Sequence, residues 1–330
     1  MNEPNLFTHA TSELSQDAFI AWLASWAHPE LRHSYPKLHQ IANDFIQDLS
    51  GKSIPSIEKL EVETQQNNID VLITVNGTFV VLIEDKVHTQ QHGNQLERYK
   101  SQINQYFDED KIFPVYFKTG DQSNYQAIRE KGYTVYKREN FLQLLRKGKS
   151  IGISHPIYFD YLDYLEELED QILLYKKLPV DDWEKETWKG FFIALQEKLG
   201  KGEWRYVPQK NGGFYVFYWH WKEAAINDHP FAYYLQLEED KFCFKIHPKE
   251  EAHRRAVRSD FRDLLFSHGE KHHLPLKRNG RIGRFMTVAI VEDFSLSTDT
   301  DGMIDIDQTA TQIERVEQMM KTLDEELELS

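Results

Sequence analysis

The segment from Ile69 to Val87 constrains this chain more than any other. Ile69-Asp70-Val71-Leu72-Ile73-Thr74-Val75 and Thr78-Phe79-Val80-Val81-Leu82-Ile83 are rich in β-branched and aromatic residues, and Asn76-Gly77 stands between them. An Asn-Gly step between two such arms is the strongest short-range signal for a β-hairpin, because both residues tolerate the positive φ angles of a tight turn. Side chains alternate along a strand, so Val81, Ile83 and Asp85 share one face while Leu82, Glu84 and Lys86 share the other. Folding back across the turn sets residue 70 opposite residue 83 or 84, which brings Asp70 beside Glu84. The hairpin is a core hairpin whose polarity begins abruptly at Glu84.

The flanking pattern is that of an α/β sheet. Phe19, Trp22, Leu23 and Trp26 recur at helical spacing, with Thr11, Ser12 or Ser15 as cap and Asp17 in a first turn. A second helix is expected over 37–49 and a strand with one wet face over 57–64. After the hairpin come a helix near 94–107 and a strand at 112–117, whose Pro114 suggests an edge or a strand start. Short elements follow at 124–131, 133–136 and 139–147, then an aromatic-rich helix from His155 to Tyr175 with Glu166, Glu167, Glu169 and Asp170 on its wet side. From Trp183 the chain reads as a helix to Leu199, strands at 204–207, 213–221, 231–237 and 241–247, a helix over 250–268, a strand at 285–291 and a final acidic helix over 307–327. The expected architecture is a restriction-endonuclease-like αβββαβ core, a mixed sheet flanked by helices over residues 1–178, followed by a smaller α+β domain with an antiparallel sheet over 179–330.

The length of 330 residues and a 40% hydrophobic content suit two such cores. A single cysteine, Cys243, excludes an intramolecular disulfide framework and a multi-cysteine zinc site, and points to the cytoplasm. No basic stretch leads into an apolar run at the N-terminus, and no run of about 18 apolar residues occurs, so neither a standard secretion signal nor a membrane span is expected. The net charge of −14 is unevenly spread. Residues 151–186 hold 3 basic and 10 acidic residues and 292–330 hold 2 and 12, whereas 187–291 hold 18 and 12. Acidity therefore does not argue against nucleic acid; it divides the surface.

Two carboxylates and an ammonium at one strand end suit phosphodiester chemistry. Mg²⁺ takes hard oxygen ligands, keeps several waters and is held by one or two carboxylates plus substrate phosphate. A lysine beside it orients water or stabilises the attacked phosphate. An exposed salt-bridged strand end, worth ~0–1 kcal/mol, is the bland alternative.

Asp70, the run Ile83-Glu84-Asp85-Lys86 and the helix opening Gln95-Leu96-Glu97-Arg98-Tyr99 together resemble the PD-(D/E)XK nuclease superfamily, most closely bacterial members with Ile-Asp, Ile-Glu-x-Lys and Gln-Leu-x-Arg-Tyr motifs. The resemblance covers about residues 10–175 and includes a first helix opening Ser12-Glu13-Leu14-Ser15. It implies a metal-dependent nuclease, acting most naturally on DNA, in defence or repair. Mg²⁺ is the implied cofactor, with Mn²⁺ as substitute. Asp70 and Glu84 would be metal ligands, with Asp85 contributing its backbone carbonyl as a third; Lys86 would position or activate water. Glu13 would be the helix acid, and Gln95 the polar residue that braces the lysine or reaches DNA. The eponymous proline is absent, since Asn68-Ile69 precede Asp70, and Asp85 stands where related sequences often have Asn. The rival reading is a catalytically inactive nucleic-acid-binding or adaptor module that retains the fold.

Lys245–Arg284 holds 11 basic residues against 5 acids. Arg254, Arg255, Arg258, Arg262, Lys277, Arg278 and Arg281 are therefore expected to contact nucleic acid, with Arg255, Arg258 and Arg262 as one helical stripe. Trp219 and Trp221 are candidates to stack bases. The acidic helices suit a protein partner or a second copy of the chain. His88 and His92 lie in a polar run read as loop rather than as ligands, and His220, His272 and His273 have no partner at ligand spacing.

Overall fold

The computed structural model describes residues 4–66, 68–87, 94–210, 212–239 and 241–328. The chain divides into two compact units, Met1–Glu169 and Asp170–Ser330.

In the first unit, helices α1 (Glu13–Ser25) and α2 (Pro36–Ser50) precede strands β1 (Leu60–Gln66), β2 (Ile69–Val75) and β3 (Phe79–Lys86). Helix α3 (Gln95–Ile103), β4 (Ile112–Lys118), α4 (Gln126–Glu130), β5 (Thr134–Lys137), α5 (Arg138–Ser150) and α6 (Pro156–Leu173) follow. The five strands form one mixed sheet in the order β1-β2-β3-β4-β5. The first three run as an antiparallel meander, and β3, β4 and β5 are parallel. Helix α2 shows why the helices form and stop: Leu38, Ile41, Ala42, Phe45, Ile46 and Leu49 make its buried stripe, Pro36 suits the first turn, and Gly51 ends it at φ 60°.

Both faces of the sheet are covered. Phe19, Phe45, Phe141 and Tyr161 from α1, α2, α5 and α6 pack against Val71, Ile73, Val81, Ile83, Val115 and Phe117. On the other face Leu96, Tyr99 and Ile103 of α3 and Ile128 of α4 pack against Leu72, Val80, Leu82 and Tyr116. A sheet covered on both faces presents polar chemistry only at its strand ends.

The hairpin forms on Asn76 and Gly77, at φ 55° and 64°, with Val75 paired to Phe79. Asn76 also explains why β1 begins at Leu60 and not at residue 57. Its Oδ1 accepts the N–H groups of Glu58 and Lys59 at 2.9 and 3.0 Å, and its Nδ2 donates to the Ser56 carbonyl, so those residues wrap the turn. Strand β4 is interior rather than an edge, with β3 and β5 on its two sides. Pro114 pairs with Leu82 of β3 and lies ahead of the β5 register, which starts at Val115. At α1 the cap position belongs to Ser12, whose side chain makes no capping bond, and Asp17 is buried beyond the first turn.

In the second unit, α7 (Lys185–Leu199) leads into β6 (Glu203–Val207), β7 (Phe214–Ile226), β8 (His229–Glu238) and β9 (Phe242–Pro248). Helix α8 (Arg254–Lys271), β10 (Leu276–Arg278), β11 (Met286–Val291) and α9 (Ile306–Glu328) complete it. The six strands form an antiparallel sheet in the order β10-β11-β9-β8-β7-β6. Its core lies on one face, where Phe217, Trp219, Phe231, Tyr233, Leu235, Phe244 and Ile246 meet Phe191 and Phe192 of α7, Phe261 of α8 and Met319 of α9. Strand β7 runs five residues past the expected Trp221 because its register shifts between Trp219 and Lys222, with His220 at φ 57°, and then continues to a turn at Asn227 and Asp228.

Two glycines should respond to one substitution for different reasons. At Gly77 a Cβ meets open space, so Gly77→Ala should cost about 1–2 kcal/mol through the left-handed backbone alone. At Gly148 a Cβ would stand 2.0 Å from the Tyr158 hydroxyl, and Gly148→Ala should cost about 1–3 kcal/mol through overpacking. Pairing Gly148→Ala with Tyr158→Phe, measured by urea unfolding, should recover part of the loss, whereas Tyr158→Phe should leave the Gly77→Ala cost unchanged.

Candidate active site

The register Val71↔Ile83 and Leu72↔Leu82 continues to place Asp70 opposite Glu84. Asp70 Oδ2 accepts the Asp85 N–H at 2.8 Å, which locks the two strand ends together. Lys86 Nζ lies 2.6 Å from Glu84 Oε1, 3.7 Å from Asp70 Oδ2 and 4.0 Å from Glu13 Oε2, and donates to the Asp85 carbonyl at 2.7 Å. The structure thus gathers Glu13, Asp70 and Glu84 around the Lys86 ammonium. Glu13, the first residue of α1, reaches this point because its Oε1 accepts the Val87 N–H at 3.1 Å.

Glu84 is wholly buried; among the described residues Lys86 alone approaches its carboxylate, at Oε1, and its Oε2 has no hydrogen-bond donor. Burial and then the negative charge of Asp70 push its carboxyl up to about 7, against the lowering influence of Lys86. Asp70 is raised by burial as well, while the Asp85 N–H and Lys86 oppose that rise. For Lys86, burial favours the neutral amine, but Glu84, Asp70 and Glu13 outweigh it and hold the pKa above the ordinary lysine value. The surrounding carboxylates thus favour the charged ammonium of Lys86.

A buried carboxylate oxygen without a hydrogen-bond donor, next to a second carboxylate and a backbone carbonyl, fits a divalent cation that keeps part of its water shell. Among the described residues no three His, Cys, Asp or Glu side chains gather to hold a metal by themselves. Water and substrate oxygens would have to complete the shell.

Asp85 and Gln95 are placed differently from the rest. The Asp85 side chain points to the opposite face, where it accepts from Gln16 Nε2, so it neither enters the cluster nor meets solvent. Gln95 opens α3, but its amide donates to Tyr99 one turn on at 2.8 Å and makes no contact with the lysine or the carboxylates. His88 and His92 lie outside the described residues.

A second layer of polar residues escaped the sequence reading. Gln16 Oε1 accepts from the Thr119 hydroxyl at 2.6 Å and the Tyr161 hydroxyl at 2.8 Å, so this one amide ties α1, β3, α6 and the segment after β4 together. Burial and then Asp70 push Asp17 to about 6, while burial and then Asp17 push Asp85 well above the carboxylate range. Gln65 donates to Asp17 at 2.9 Å and to Asp70 at 3.4 Å. Lys118, in register with Lys86 across β3 and β4, donates to the Val87 carbonyl at 2.9 Å. Burial draws its ammonium down to about 8 despite Glu13, Asp121 and Asp85 nearby. Gly120 is required beside it, since a Cβ there would stand 1.9 Å from the Val87 carbonyl. The one local signal for Lys118 is a charge at the end of an apolar strand, the same pattern that marks Glu84.

A sequence profile described as the PD-(D/E)XK nuclease superfamily matches residues 5–177, which holds the whole cluster. The chain belongs to this superfamily. Neither a curated protein nor a solved structure matches it. The mixed five-stranded sheet with flanking helices is consistent with the superfamily's α/β fold, and the second antiparallel sheet lies outside the matched segment.

The residues expected on nucleic acid lie in the second unit. Arg254 pairs with Glu251 at 2.7 Å, Arg262 turns to Asp263 and Ser259, and Arg258 donates to the carbonyls of Asn279 and Gly280 at 2.9 and 2.7 Å. The helical stripe is thus mostly engaged within its own unit, and Arg255 alone of the four is exposed without an ion pair. Lys277, Arg278 and Arg281 are exposed on the β10–β11 hairpin. Trp219 is buried and donates to Glu317 at 2.6 Å, whereas Trp221 is exposed. His220 contacts Asp324, and His272 contacts Thr322.

The raised pKa of Glu84 carries a stability signature. Between its unfolded value of 4.5 and about 7 the folded chain keeps a proton that the unfolded chain has lost, so stability falls as pH rises through that window and levels off above it. In EDTA, Glu84→Gln should flatten this dependence by up to about 3 kcal/mol. Parallel urea midpoints for wild type and variant from pH 5 to 8 would remove the assignment.

Proposed function

We propose that this chain is a divalent-metal-dependent nuclease that hydrolyses phosphodiester bonds, with DNA as its substrate and Mg²⁺ as its metal. The observation that carries the reading is the buried Glu84 carboxyl, met by Lys86 at one oxygen and left without a donor at the other, set beside Asp70 in a chain of the nuclease superfamily. A structural ion pair would be expected to satisfy its lone pairs, because a buried acceptor left without a donor costs about 1–3 kcal/mol or more. A metal ligand must keep them open.

Asp70 and Glu84 hold the cation in this reading, with the Asp85 carbonyl beside them. When bound, a divalent ion there supplies charge stabilisation to the phosphate and makes water more acidic. Lys86 remains protonated and directs its N–H groups to the attacking water or a non-bridging phosphate oxygen. Glu13 holds the Val87 N–H and steadies Lys86 from α1. The attacking water forms the new P–O bond, the bond to the leaving sugar oxygen breaks, and that oxygen takes up a proton. Gln16, Asp17 and Lys118 act at one remove, fixing the strand ends on which these groups ride.

Incubation with single- and double-stranded DNA or RNA and Mg²⁺ or Mn²⁺ tests this. Wild type should cleave at least one of these, while Asp70→Asn, Glu84→Gln and Lys86→Ala should each lose about 100-fold or more, within the range general for removing one electrostatic group from such a site. Lys86→Ala should still bind metal, read by calorimetry, and Asp70→Asn with Glu84→Gln should not. Absence of cleavage together with metal binding indifferent to Asp70 and Glu84 would leave the inactive binding module as the reading.

A further inference from the structure

Unlike the first sheet, the second has helices of its own unit on one face only. The core residues Phe231, Tyr233 and Leu235 of β8 all face α7, α8 and α9, so Ala232, Tyr234 and Gln236 face the other way, where they too are buried beneath the side chains that lie over them. Tyr234 pairs across with Lys245, and Ala232 with His247, which puts Tyr234 and His247 on that same face as diagonal neighbours. Each carries a second ring. Trp221 stacks on Tyr234 with centroids 4.8 Å apart and planes at 20°, and Phe285 stacks on His247 at 4.2 Å and 24°. Trp221 and Phe285 are each 48% exposed, although both could have been buried in an aromatic-rich core.

Cations border these rings. Lys277 to Phe285 contains four basic residues and no acid, and no acidic residue occurs between Lys271 and Val291. Arg284 lies over the Phe285 ring at 5.6 Å and its Nε reaches His247 at 3.4 Å. Arg258 secures the loop by bonding the carbonyls of Asn279 and Gly280, and Gly280 is obligatory there, at φ 87° with a Cβ position 2.3 Å from the Thr287 carbonyl. At the other end of the face Arg205 lies over Tyr218 at 5.2 Å, and the acids on the face have partners: Glu223 meets Lys249, Glu238 meets Lys245 at 3.9 Å, and Glu203 accepts from the Tyr218 hydroxyl.

We propose that this face binds single-stranded nucleic acid, with Trp221 and Phe285 stacking unpaired bases and Arg281 and Arg284 contacting phosphates. A ring backed by a second ring is already immobilised, so little order is lost when a base covers its free side. Duplex bases hide their faces, so such rings favour single strands, while acid-free arginines supply the phosphate attraction. The proposal extends the nuclease reading by naming a second contact surface and a strandedness, and its test does not depend on cleavage.

The test is fluorescence anisotropy of the full chain in EDTA with labelled oligothymidylate of about 16 nucleotides, and with a blunt duplex of equal length. Wild type should prefer the single strand. Trp221→Ala and Phe285→Ala should each weaken single-strand binding by about 5- to 150-fold, and Trp221→Phe, which keeps a ring, should restore most of the loss. Arg281→Ala and Arg284→Ala should each reduce the slope of log affinity against log salt by about 0.7. Circular dichroism and urea unfolding identify any variant that fails to fold; for such a position Trp221→Phe or Phe285→Tyr takes its place and should bind as wild type. Equal affinity for duplex, or single-strand binding unchanged in both alanine variants, would overturn the proposal. Ring-dependent binding by a chain that cleaves nothing, and whose metal binding is indifferent to Asp70 and Glu84, would uphold it and reject the nuclease reading instead.

Discussion

Everything at the candidate site depends on the register of one hairpin. With Val71 opposite Ile83, Asp70 meets Glu84, and Lys86 falls on the same face as Glu84. A slip of one residue would exchange every side chain of β3 between faces. Glu84 and Lys86 would then enter the layer built from Phe19, Phe45 and Tyr161, and Asp85 would leave its Gln16 partner. The penalty for burying unpaired charge is several kcal/mol per group, far more than the local preference of the turn can set against it. Asn76 adds a second restraint by binding residues 56, 58 and 59, so the turn fixes β1 as well as β2 and β3.

The charges at the strand end form a balance rather than a row of ion pairs. Glu13, Asp70 and Glu84 surround Lys86, and the next layer adds Asp17, Asp85 and Lys118. More carboxyl groups are present than cations, and burial raises them: Glu84 to about 7, Asp17 to about 6, and Asp85 well above the usual carboxylate range. In the proposed nuclease a divalent cation would replace protons that the low-dielectric setting retains. The cost is borne by the sheet, whose two apolar layers hold the carboxyl groups in place.

The parts of this arrangement written into short stretches of sequence were legible. Alternation along β3 separated Asp85 from Glu84 and Lys86, and the Asn-Gly step fixed the turn between their strands. Long-range partners were not legible, because nothing local marks them. Gln16 lies 69 residues from Asp85 and 145 from Tyr161, and as a polar residue in a helix it resembles any solvated position. Asp17 reads as a favourable charge near a helix start until its burial is known. Gln95 has the reverse problem: the motif places it at the right point in the chain, but Tyr99 takes up its amide. The arginine stripe of α8 shows the same limit. Periodicity located the side chains on one helix, but where a guanidinium ends depends on the carbonyls and carboxylates within its reach, and Arg258 found two carbonyls of a neighbouring loop.

The two sheets solve different physical problems. The first is covered on both faces, so its polar groups can appear only where strands end, and a site built there takes its precision from strands gripped by two cores. The second has one core, and the aromatic residues on its far face must either meet solvent or meet something else. Exposed rings are ordinarily replaced by polar residues on the wet face of an antiparallel sheet, since an exposed apolar patch costs solubility and invites association. Here Trp221 and Phe285 are kept exposed, each braced by a partner ring and accompanied by arginine on a loop free of acids. A strand end suits chemistry at one bond, whereas a broad braced face suits contact with several successive units of a polymer. The matched family segment ends at residue 177, so the second sheet, with its different kind of surface, belongs to the portion of the chain that the superfamily core does not require.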